Sequence, residues 1–130
     1  MKEGIIITLP ASDDVTKYLS AFSREIIENC SNNQILIKLI EKEKVTRKNV
    51  ENVLKTLSYK FVIFNGHGSP KNILGNKNEE IICVGKNEFL LKNRITYARS
   101  CWYAAELGKR LVETSKESCF IGYLIPFMFI

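Results

Sequence analysis

Two side chains in this sequence are suited to nucleophilic catalysis: the single histidine and one of the four cysteines. His67 lies between two glycines in Asn65-Gly66-His67-Gly68, and Cys101 lies in Ala98-Arg99-Ser100-Cys101-Trp102. A thiol attacks as its thiolate, and an imidazole with an unperturbed pKa of about 6.5 is a suitable proton acceptor. We therefore predict a Cys-His catalytic dyad. The alternative from the residues alone is a glycine-rich turn and a cysteine that packs as a small hydrophobic side chain.

The residues beside the dyad favour acyl transfer. Gly66 and Gly68 allow a sharp turn and leave space for a substrate chain. Cys101 stands between a predicted strand and a predicted helix, where free backbone N–H groups favour an anion. We predict that the N–H groups of Gly68 and Cys101 stabilise the oxyanion of the reaction intermediate.

The elements that must position these residues alternate along the chain. Short apolar runs predict main strands at 4–9, 35–40, 61–64, 94–98 and 119–123. Helices are predicted from a cap within 10–14 to residue 30, after a cap at Thr46, and over 102–113. Residues 70–85 carry turn chemistry and predict a hairpin at the edge of the sheet, and 87–92 predict a short helical turn.

The spacing of apolar residues also predicts which faces are buried. The first helix carries one apolar stripe, formed by Val15, Tyr18, Leu19, Phe22, Ile26 and Cys30. The buried stripe of the second helix is Val50, Val53, Leu54 and Leu57, and Ala105, Leu107, Leu111 and Val112 of the third are expected to be partly buried. Cys30, Cys83 and Cys119 are expected in the core, and Glu106 on the surface.

Strands that alternate with helices and are apolar on both faces indicate an α/β fold. We predict a single domain over 1–130, built as a three-layer sandwich around a mainly parallel sheet. Loops at the carboxyl ends of such strands carry function. His67 follows the third main strand and Cys101 follows the fourth, so neighbouring strands would bring both side chains to one rim.

Composition excludes several classes of function. The net charge is +5, but basic residues are scattered among acidic ones, so no nucleic-acid partner is predicted. No apolar stretch approaches the roughly 20 residues of a membrane span. The four cysteines lie far apart with no zinc-ligand spacing, so we predict free thiols, no metal and a cytoplasmic location.

Two segments, 61–69 and 95–108, resemble the caspase-like clan of cysteine peptidases, and bacterial and archaeal CHAT-type and gingipain-like members in particular. The shared features are the His67-Gly68 pair after one strand and the Ser100-Cys101 pair after the next. Phe120-Ile-Gly-Tyr123 with Pro126-Phe127 is similar to the strand that follows the nucleophile helix. The resemblance extends over about 60–127, whereas the first two strand-helix units agree only in order and spacing.

The resemblance implies a cysteine endopeptidase that acts on a protein or peptide through an acyl-enzyme, with no metal and no organic cofactor. It implies that His67 is the general base and acid, Cys101 the nucleophile and Gly68 an oxyanion donor. No carboxylate is clearly placed in the sequence to orient His67, and in the clan a backbone carbonyl often has that role. The sequence stops soon after the fifth strand, so we expect a missing or very short C-terminal part, or a partner subunit that covers the sheet edge.

Three residues near the dyad are predicted to contact substrate. Trp102 is assigned to the substrate cleft, with packing of the helix against the sheet as its alternative. Arg99 is assigned to an acidic substrate residue, with a solvated strand-end arginine as its alternative. Ser69 is assigned to a hydrogen bond near His67, although a Ser-Pro step is also common in turns.

Two other functions are compatible with the pattern. A catalytically inactive caspase-like scaffold or regulatory module would have the same fold. A flavodoxin-like nucleotide-binding domain is allowed by the alternating architecture, but the sequence contains neither a GxGxxG motif nor a P-loop motif.

Overall fold

Five parallel strands form the central sheet. The structure is a computed structural model, and it describes residues 1–99 and 104–122 apart from the side chains of Phe22, Ala104 and Ala105. The strands of this sheet are β1 (Lys2–Leu9), β2 (Leu36–Glu41), β3 (Tyr59–Asn65), β6 (Ile95–Arg99) and β7 (Cys119–Ile121), and their spatial order is β2-β1-β3-β6-β7. The helices are α1 (Asp14–Asn32), α2 (Arg47–Thr56) and α3 (Lys109–Thr114), and an antiparallel pair is formed by β4 (Asn72–Leu74) and β5 (Glu80–Cys83).

Helices cover both faces of this sheet, which confirms the predicted three-layer α/β sandwich. On one face, Ile6, Val62 and Phe64 pack with Val50 and Leu54 of α2 and with the α3 side chain Leu111. On the other face, Ile7, Leu9 and Ile63 pack with Ile26 and Ile27 of α1. The alternation of side chains along each strand produces these two cores.

The first helix begins where the sequence predicts, but its buried face differs. Asp13 is the N-cap, and its side chain accepts the Thr16 N–H within a capping box. Val15 and Tyr18 were wrongly assigned to the core, since they are 37% and 58% exposed. Small polar residues of the helix lie against the sheet instead. The Ser20 hydroxyl donates a hydrogen bond to the Pro10 carbonyl at 2.8 Å, and this contact fixes the rotation of the helix about its axis.

The buried face of α1 is completed by Thr16, Leu19, Ser23 and Cys30, and the expected burial of Leu19 and Cys30 is confirmed.

In α2, Thr46 caps the first turn by accepting the Asn49 N–H, as predicted. Val50 and Leu54 are buried, and Val53 and Leu57 pack partly buried against them. The second apolar stripe is therefore confirmed.

The predicted hairpin is present as β4 and β5, but its predicted position is wrong. It forms a sheet of its own, and the edges of the main sheet are β2 and β7. Ile73, Ile81 and Ile82 are fully buried in the core that contains α2 and α3. The hairpin lies over that face of the sheet because its apolar side chains complete the core there. The predicted short helical turn follows it, as a 3-10 turn at Glu88–Leu91.

The prediction that the strands are buried on both faces is correct for the inner strands and wrong for the two edge strands. Leu36 at one edge is 52% exposed and Ile121 at the other is 49% exposed. Cys119 is exposed rather than in the core. An edge strand has one neighbour and less helix above it, so alternate side chains remain in contact with solvent.

The helix predicted at 102–113 is described from residue 104. A π-helical turn, Ala104–Gly108, leads into α3. Leu107 and Leu111 are buried as predicted, but Val112 is 48% exposed because α3 presents it away from the sheet. A Cβ on Gly108 would lie 2.6 Å from Phe120, so only glycine allows this close approach to β7. Tyr123 of the predicted fifth strand is outside the described residues.

The first predicted residue of the fourth strand, Arg94, lies just before β6 and has another role. It is 3% exposed, and its guanidinium donates to the carbonyls of Leu54, Leu57 and Tyr59 at 2.8, 2.9 and 3.0 Å. Arg94 thus satisfies carbonyls at the end of α2 that have no partner within the helix. None of the described helices is long and apolar enough to cross a membrane.

Candidate active site

The strands that precede His67 and Cys101 are neighbours in the sheet. β3 and β6 pair in parallel, and Asn65 is in register with Arg99. His67 follows Asn65 by two positions, and Cys101 follows Arg99 by two positions. Adjacent strands are separated by about 4.8 Å, so β3 and β6 end side by side at the carboxyl end of the sheet. Cys101 itself lies outside the described residues.

The loop that carries His67 is fixed by close backbone packing. Gly66 has a φ of 146°, in the region that glycine adopts without strain. A Cβ at this position would lie 3.0 Å from the Leu74 carbonyl and 3.3 Å from the Pro10 ring. The Leu74 N–H donates to the His67 carbonyl at 3.0 Å. The chain can therefore turn here only with a small residue, and the turn defines where the imidazole stands.

Gly68 lies in this loop with its N–H directed away from β4. Gly68 and Ile73 form an antiparallel bridge. The hydrogen bonds of that bridge flank the pair, from Leu74 N–H to the His67 carbonyl and from Ser69 N–H to the Asn72 carbonyl at 3.0 Å. In this pattern the paired residues themselves point their N–H and C=O groups outward. The Gly68 N–H is thus not used by the hairpin.

A carboxylate that the sequence analysis did not assign contacts the histidine. Asp13 Oδ2 lies 2.6 Å from His67 Nε2. The side chains of His67 and Asp13 are 34% and 45% exposed, so the pair is open to solvent. A carboxylate at this distance accepts the Nε2 proton and fixes both the orientation and the tautomer of the ring.

Asp13 is itself held rigidly, because it is also the N-cap of α1. Its Oδ1 accepts the Thr16 N–H at 2.9 Å and the Thr16 hydroxyl at 2.9 Å, while Oδ2 faces His67. Partial burial raises the pKa of Asp13, but the hydrogen bonds from Thr16 and His67 together outweigh it and leave the pKa below its ordinary value of 3.8. The carboxylate is thus ionised at neutral pH.

The sequence contains one signal for Asp13. Functional loops follow the carboxyl ends of parallel strands, and this holds for the first strand as it does for the third and fourth. β1 lies directly beside β3, with Thr8 in register with Phe64. The β1–α1 loop therefore reaches the same rim, and its aspartates were candidates for the third group of the site.

Two hydrogen bonds join the His67 loop to the helix that follows Cys101. The Pro70 carbonyl accepts the N–H groups of Glu106 and Leu107 at 3.2 and 3.1 Å. Lys71 and Glu106 approach to 3.9 Å at the surface, and Glu106 is exposed as predicted. The π-helical turn is therefore tied directly to the His67 loop. π-turns recur at functional sites.

The residues predicted to bind substrate are not grouped by contacts among the described residues. Arg99 donates to the Ser23 hydroxyl of α1 at 3.2 Å and is half-buried. Ser69 is half-buried, and its backbone pairs with Asn72. Trp102 lies outside the described residues. Their assignment to substrate stays a prediction.

The described thiols differ from one another in accessibility. Cys30 and Cys83 are buried, and all three cysteines of the described chain are free. Burial, together with the hydrogen bond and charge of Glu80, raises the pKa of Cys83 to about 11, so this thiol stays protonated and unreactive at neutral pH. Cys119 is exposed, and it is in register with Ile95 at the amino end of the sheet, opposite the His67 rim.

Within residues 1–99 and 104–122, no three side chains of His, Cys, Asp or Glu are grouped in a way that holds a metal ion. No protein-family model matches the chain, and no curated protein or solved structure compared with it gives a match either.

Proposed function

We propose that the chain is a cysteine endopeptidase with Cys101 as nucleophile and His67 as general base and acid. One observation carries the proposal. The His67 imidazole, which contacts a carboxylate, lies two residues after the end of β3, and Cys101 follows the end of the neighbouring strand β6 by the same two residues. A histidine in contact with a carboxylate is the base-and-orienter part of an activated-nucleophile site. The resemblance of the two motifs to caspase-like peptidases supports peptide-bond cleavage as the reaction.

Each group has a defined role in this reaction. Because His67 Nε2 donates its hydrogen bond to Asp13, we assign the proton exchange with Cys101 to His67 Nδ1. Nδ1 takes the Cys101 proton, and the thiolate attacks the scissile carbonyl carbon. The resulting oxyanion accepts hydrogen bonds from the N–H groups of Gly68 and Cys101. The outward direction of the Gly68 N–H supports that assignment.

The two half-reactions balance in protons. As the C–N bond breaks, the His67 imidazolium gives its proton to the leaving amine and a thioester acyl-enzyme remains. A water molecule then loses a proton to His67 and attacks the thioester carbonyl. The C–S bond breaks, the thiolate recovers its proton, and the new carboxyl terminus departs. The substrate class is a protein or peptide, and the chemistry needs neither a metal nor an organic cofactor.

The location of this activity is proposed to be the cytoplasm.

The test uses acyloxymethyl-ketone probes, which label an activated thiolate. The full chain is treated with a probe library that varies the residue before the scissile position, and labelling is located by intact mass and peptide mapping. We expect labelling of Cys101 in the wild type, none in Cys101→Ala, and at least about 100-fold slower labelling in His67→Ala, since removal of the base costs two to four orders of magnitude.

Cys119→Ala is the matched control, because its thiol is exposed and lies at the other end of the sheet. This variant is expected to label at the wild-type rate. Labelling that survives in Cys101→Ala would contradict the proposal. A folded wild type that no probe labels would favour the alternative, an inactive module with the same fold.

A further inference from the structure

A pocket of about 430 Å³ opens on the β1 and β2 side of His67. It is lined by Ala11, Ser12, Lys17, Lys42, Glu43, Asn76 and Lys77, and we call it the lysine pocket. Its walls come from three separate segments: the β1–α1 region, the turn after β2, and the tip of the β4–β5 hairpin. The pocket therefore exists only in the folded chain.

Hydrogen bonds hold these segments together. The Lys77 N–H donates to the Ser12 hydroxyl at 3.1 Å, and the Asn76 N–H donates to the Val45 carbonyl at 2.9 Å. The hairpin tip is thus attached both to the loop before α1 and to the segment before α2. The lining residues keep a fixed backbone arrangement, and the flexible part of the pocket is its lysine side chains.

The charge of the lysine pocket is not balanced by its own acid. Lys17, Lys42 and Lys77 are exposed, and in the part of the chain that the structure describes no carboxylate lies within 4.0 Å of their ammonium groups. Glu43 is the one acidic residue in the lining. Three cations beside one anion attract a negatively charged ligand.

Two of the lysines occupy backbone conformations that disfavour them. Lys42 and Lys77 have φ angles of 54° and 53°. Lys77 and Asn78 are the central residues of a turn closed from Glu79 N–H to the Asn76 carbonyl, at positions that Asn and Gly normally occupy. Left-handed backbone at a non-glycine residue is strained and persists at functional sites. Both strained lysines line the same pocket.

The lysine pocket adjoins the Asp13–His67 pair. Ser12 lines the pocket and immediately precedes Asp13, whose Oδ2 is 2.6 Å from His67 Nε2. Lys17 lies one helical turn after Asp13, and its N–H donates to the Asp13 carbonyl. The pocket therefore lies beside the pair along the rim, on the side toward β2.

We propose that the lysine pocket binds carboxylate side chains of the substrate, so that the enzyme selects proteins with an acidic segment next to the cleaved bond. This inference rests on the proposed peptidase function and defines its substrate class. The ammonium groups are flexible point charges, which suits a variable acidic stretch better than one fixed carboxylate geometry.

The test measures binding without cleavage. Cys101→Ala protein is titrated with two fluorescein-labelled ten-residue peptides, one with four glutamates and one with glutamines in their place, and anisotropy is recorded at low and moderate salt. We expect the acidic peptide to bind at least about 10-fold more tightly at low salt, with a preference that weakens as salt screens the charges.

The lysines are then replaced in the same background. Lys17→Gln, Lys42→Gln and Lys77→Gln together should remove the preference for the acidic peptide. Lys48→Gln, Lys92→Gln and Lys116→Gln together are the control, because they remove the same charge at exposed positions elsewhere. Equal losses in the two triple variants would overturn the proposal. A second result would also overturn the proposal: tripolyphosphate binds through Lys17, Lys42 and Lys77, while the two peptides bind equally. The pocket would then be a site for a free polyanion.

A single substitution separates function from folding. Lys77→Asn places a residue that tolerates the left-handed conformation in the turn and removes the charge. We expect a higher melting temperature and weaker binding of the acidic peptide. A stabilised protein that binds the acidic peptide as tightly as before would overturn the role of Lys77. None of these binding measurements requires turnover. If the probes fail to label the protein but the acidic peptide still binds preferentially, the peptidase proposal is rejected and the role of the lysine pocket is retained.

Discussion

Two polar clusters lie at opposite ends of the central sheet, and they differ in burial. At the carboxyl end, Asp13 and His67 form a close pair whose side chains are 45% and 34% exposed. At the amino end, Arg94 is 3% exposed and gives its hydrogen bonds to the backbone carbonyls of Leu54, Leu57 and Tyr59. Of the described residues, no carboxylate pairs with this guanidinium.

The difference separates a group that stabilises the fold from a group available for chemistry. Burial lowers the pKa of Arg94, and the carbonyls it binds stop the guanidinium from reaching a ligand. The Asp13–His67 pair is open to a substrate, and one of its members also caps a helix. Removing the buried cluster should therefore affect stability alone, and changing the open pair should affect activity with little effect on stability.

The largest expected effect is on stability, at Arg94. Arg94→Met keeps an unbranched side chain but leaves carbonyls at the end of α2 and the start of β3 without their charged donor. Buried hydrogen bonds to a charged group contribute about 1.5–3 kcal/mol each when measured by substitution, and relaxation recovers part of that. We expect a loss of about 3 kcal/mol in the free energy of unfolding, measured by urea denaturation.

The control for this prediction is Arg24→Met. Arg24 pairs with Glu41 at 2.9 Å on the surface, with side chains 53% and 41% exposed, so its loss should change stability by less than about 1 kcal/mol. Equal losses at Arg24 and Arg94 would remove the distinction between buried and exposed cations. Probe labelling of the Arg94→Met protein below its melting range should keep the wild-type pattern.

The next largest effect is on activity, at Asp13. Ser and Asn both replace Asp well as N-caps, so Asp13→Ser and Asp13→Asn should retain stability to within about 0.5 kcal/mol. Serine is too short to reach His67, and the Asn amide presents a donor where the imidazole needs an acceptor. Loss of an orienting partner typically costs 10–100-fold. We expect about that decrease in the rate of probe labelling, larger for Asn because it favours the wrong tautomer.

Because Ser and Asn both cap the helix, a merely structural role for Asp13 would leave the labelling rate and its pH profile as in the wild type. An orienting role changes the pH profile of the labelling rate at unchanged melting temperature. Wild-type labelling rates in both variants would mean that Asp13 acts only as a helix cap. The Asp13–His67 pair would then lose its assigned function.

The smallest effect concerns pH. The pKa of Asp13 is lower in the folded protein than its ordinary value of 3.8. Its contribution to stability is therefore complete above that ordinary pKa and is lost as the pH falls through the lowered one. Almost half of the side chain is exposed, so solvent screening limits the contribution to about 0.5 kcal/mol.

The measurement is the difference in urea stability between wild type and Asp13→Asn at pH 6 and at pH 3. The difference should shrink at pH 3, which is below the ordinary pKa of 3.8, because the unfolded chain binds a proton there more readily than the folded one. A difference that grows on acidification would contradict the sign of the pKa shift.

Much of the fold follows from short-range features of the sequence. The caps Asp13 and Thr46, the apolar runs of the strands and the turn chemistry of the hairpin act over about ten residues or fewer, and they predicted the order and approximate bounds of the elements. The errors have a common cause. Val15, Tyr18, Val112 and Cys119 match apolar patterns, but the rotation of a helix or the edge of a sheet leaves them exposed.

The sequence by itself determined that His67 and Cys101 each follow a strand, because glycine placement and apolar periodicity are local. Only the tertiary structure decided that β1, β3 and β6 are neighbours, and with that it brought Asp13 to His67 across 54 positions. It also brought the β4–β5 turn to Ser12 and so formed the lysine pocket. Such contacts depend on strand order and on how the hairpin packs, and neither is encoded in any one segment.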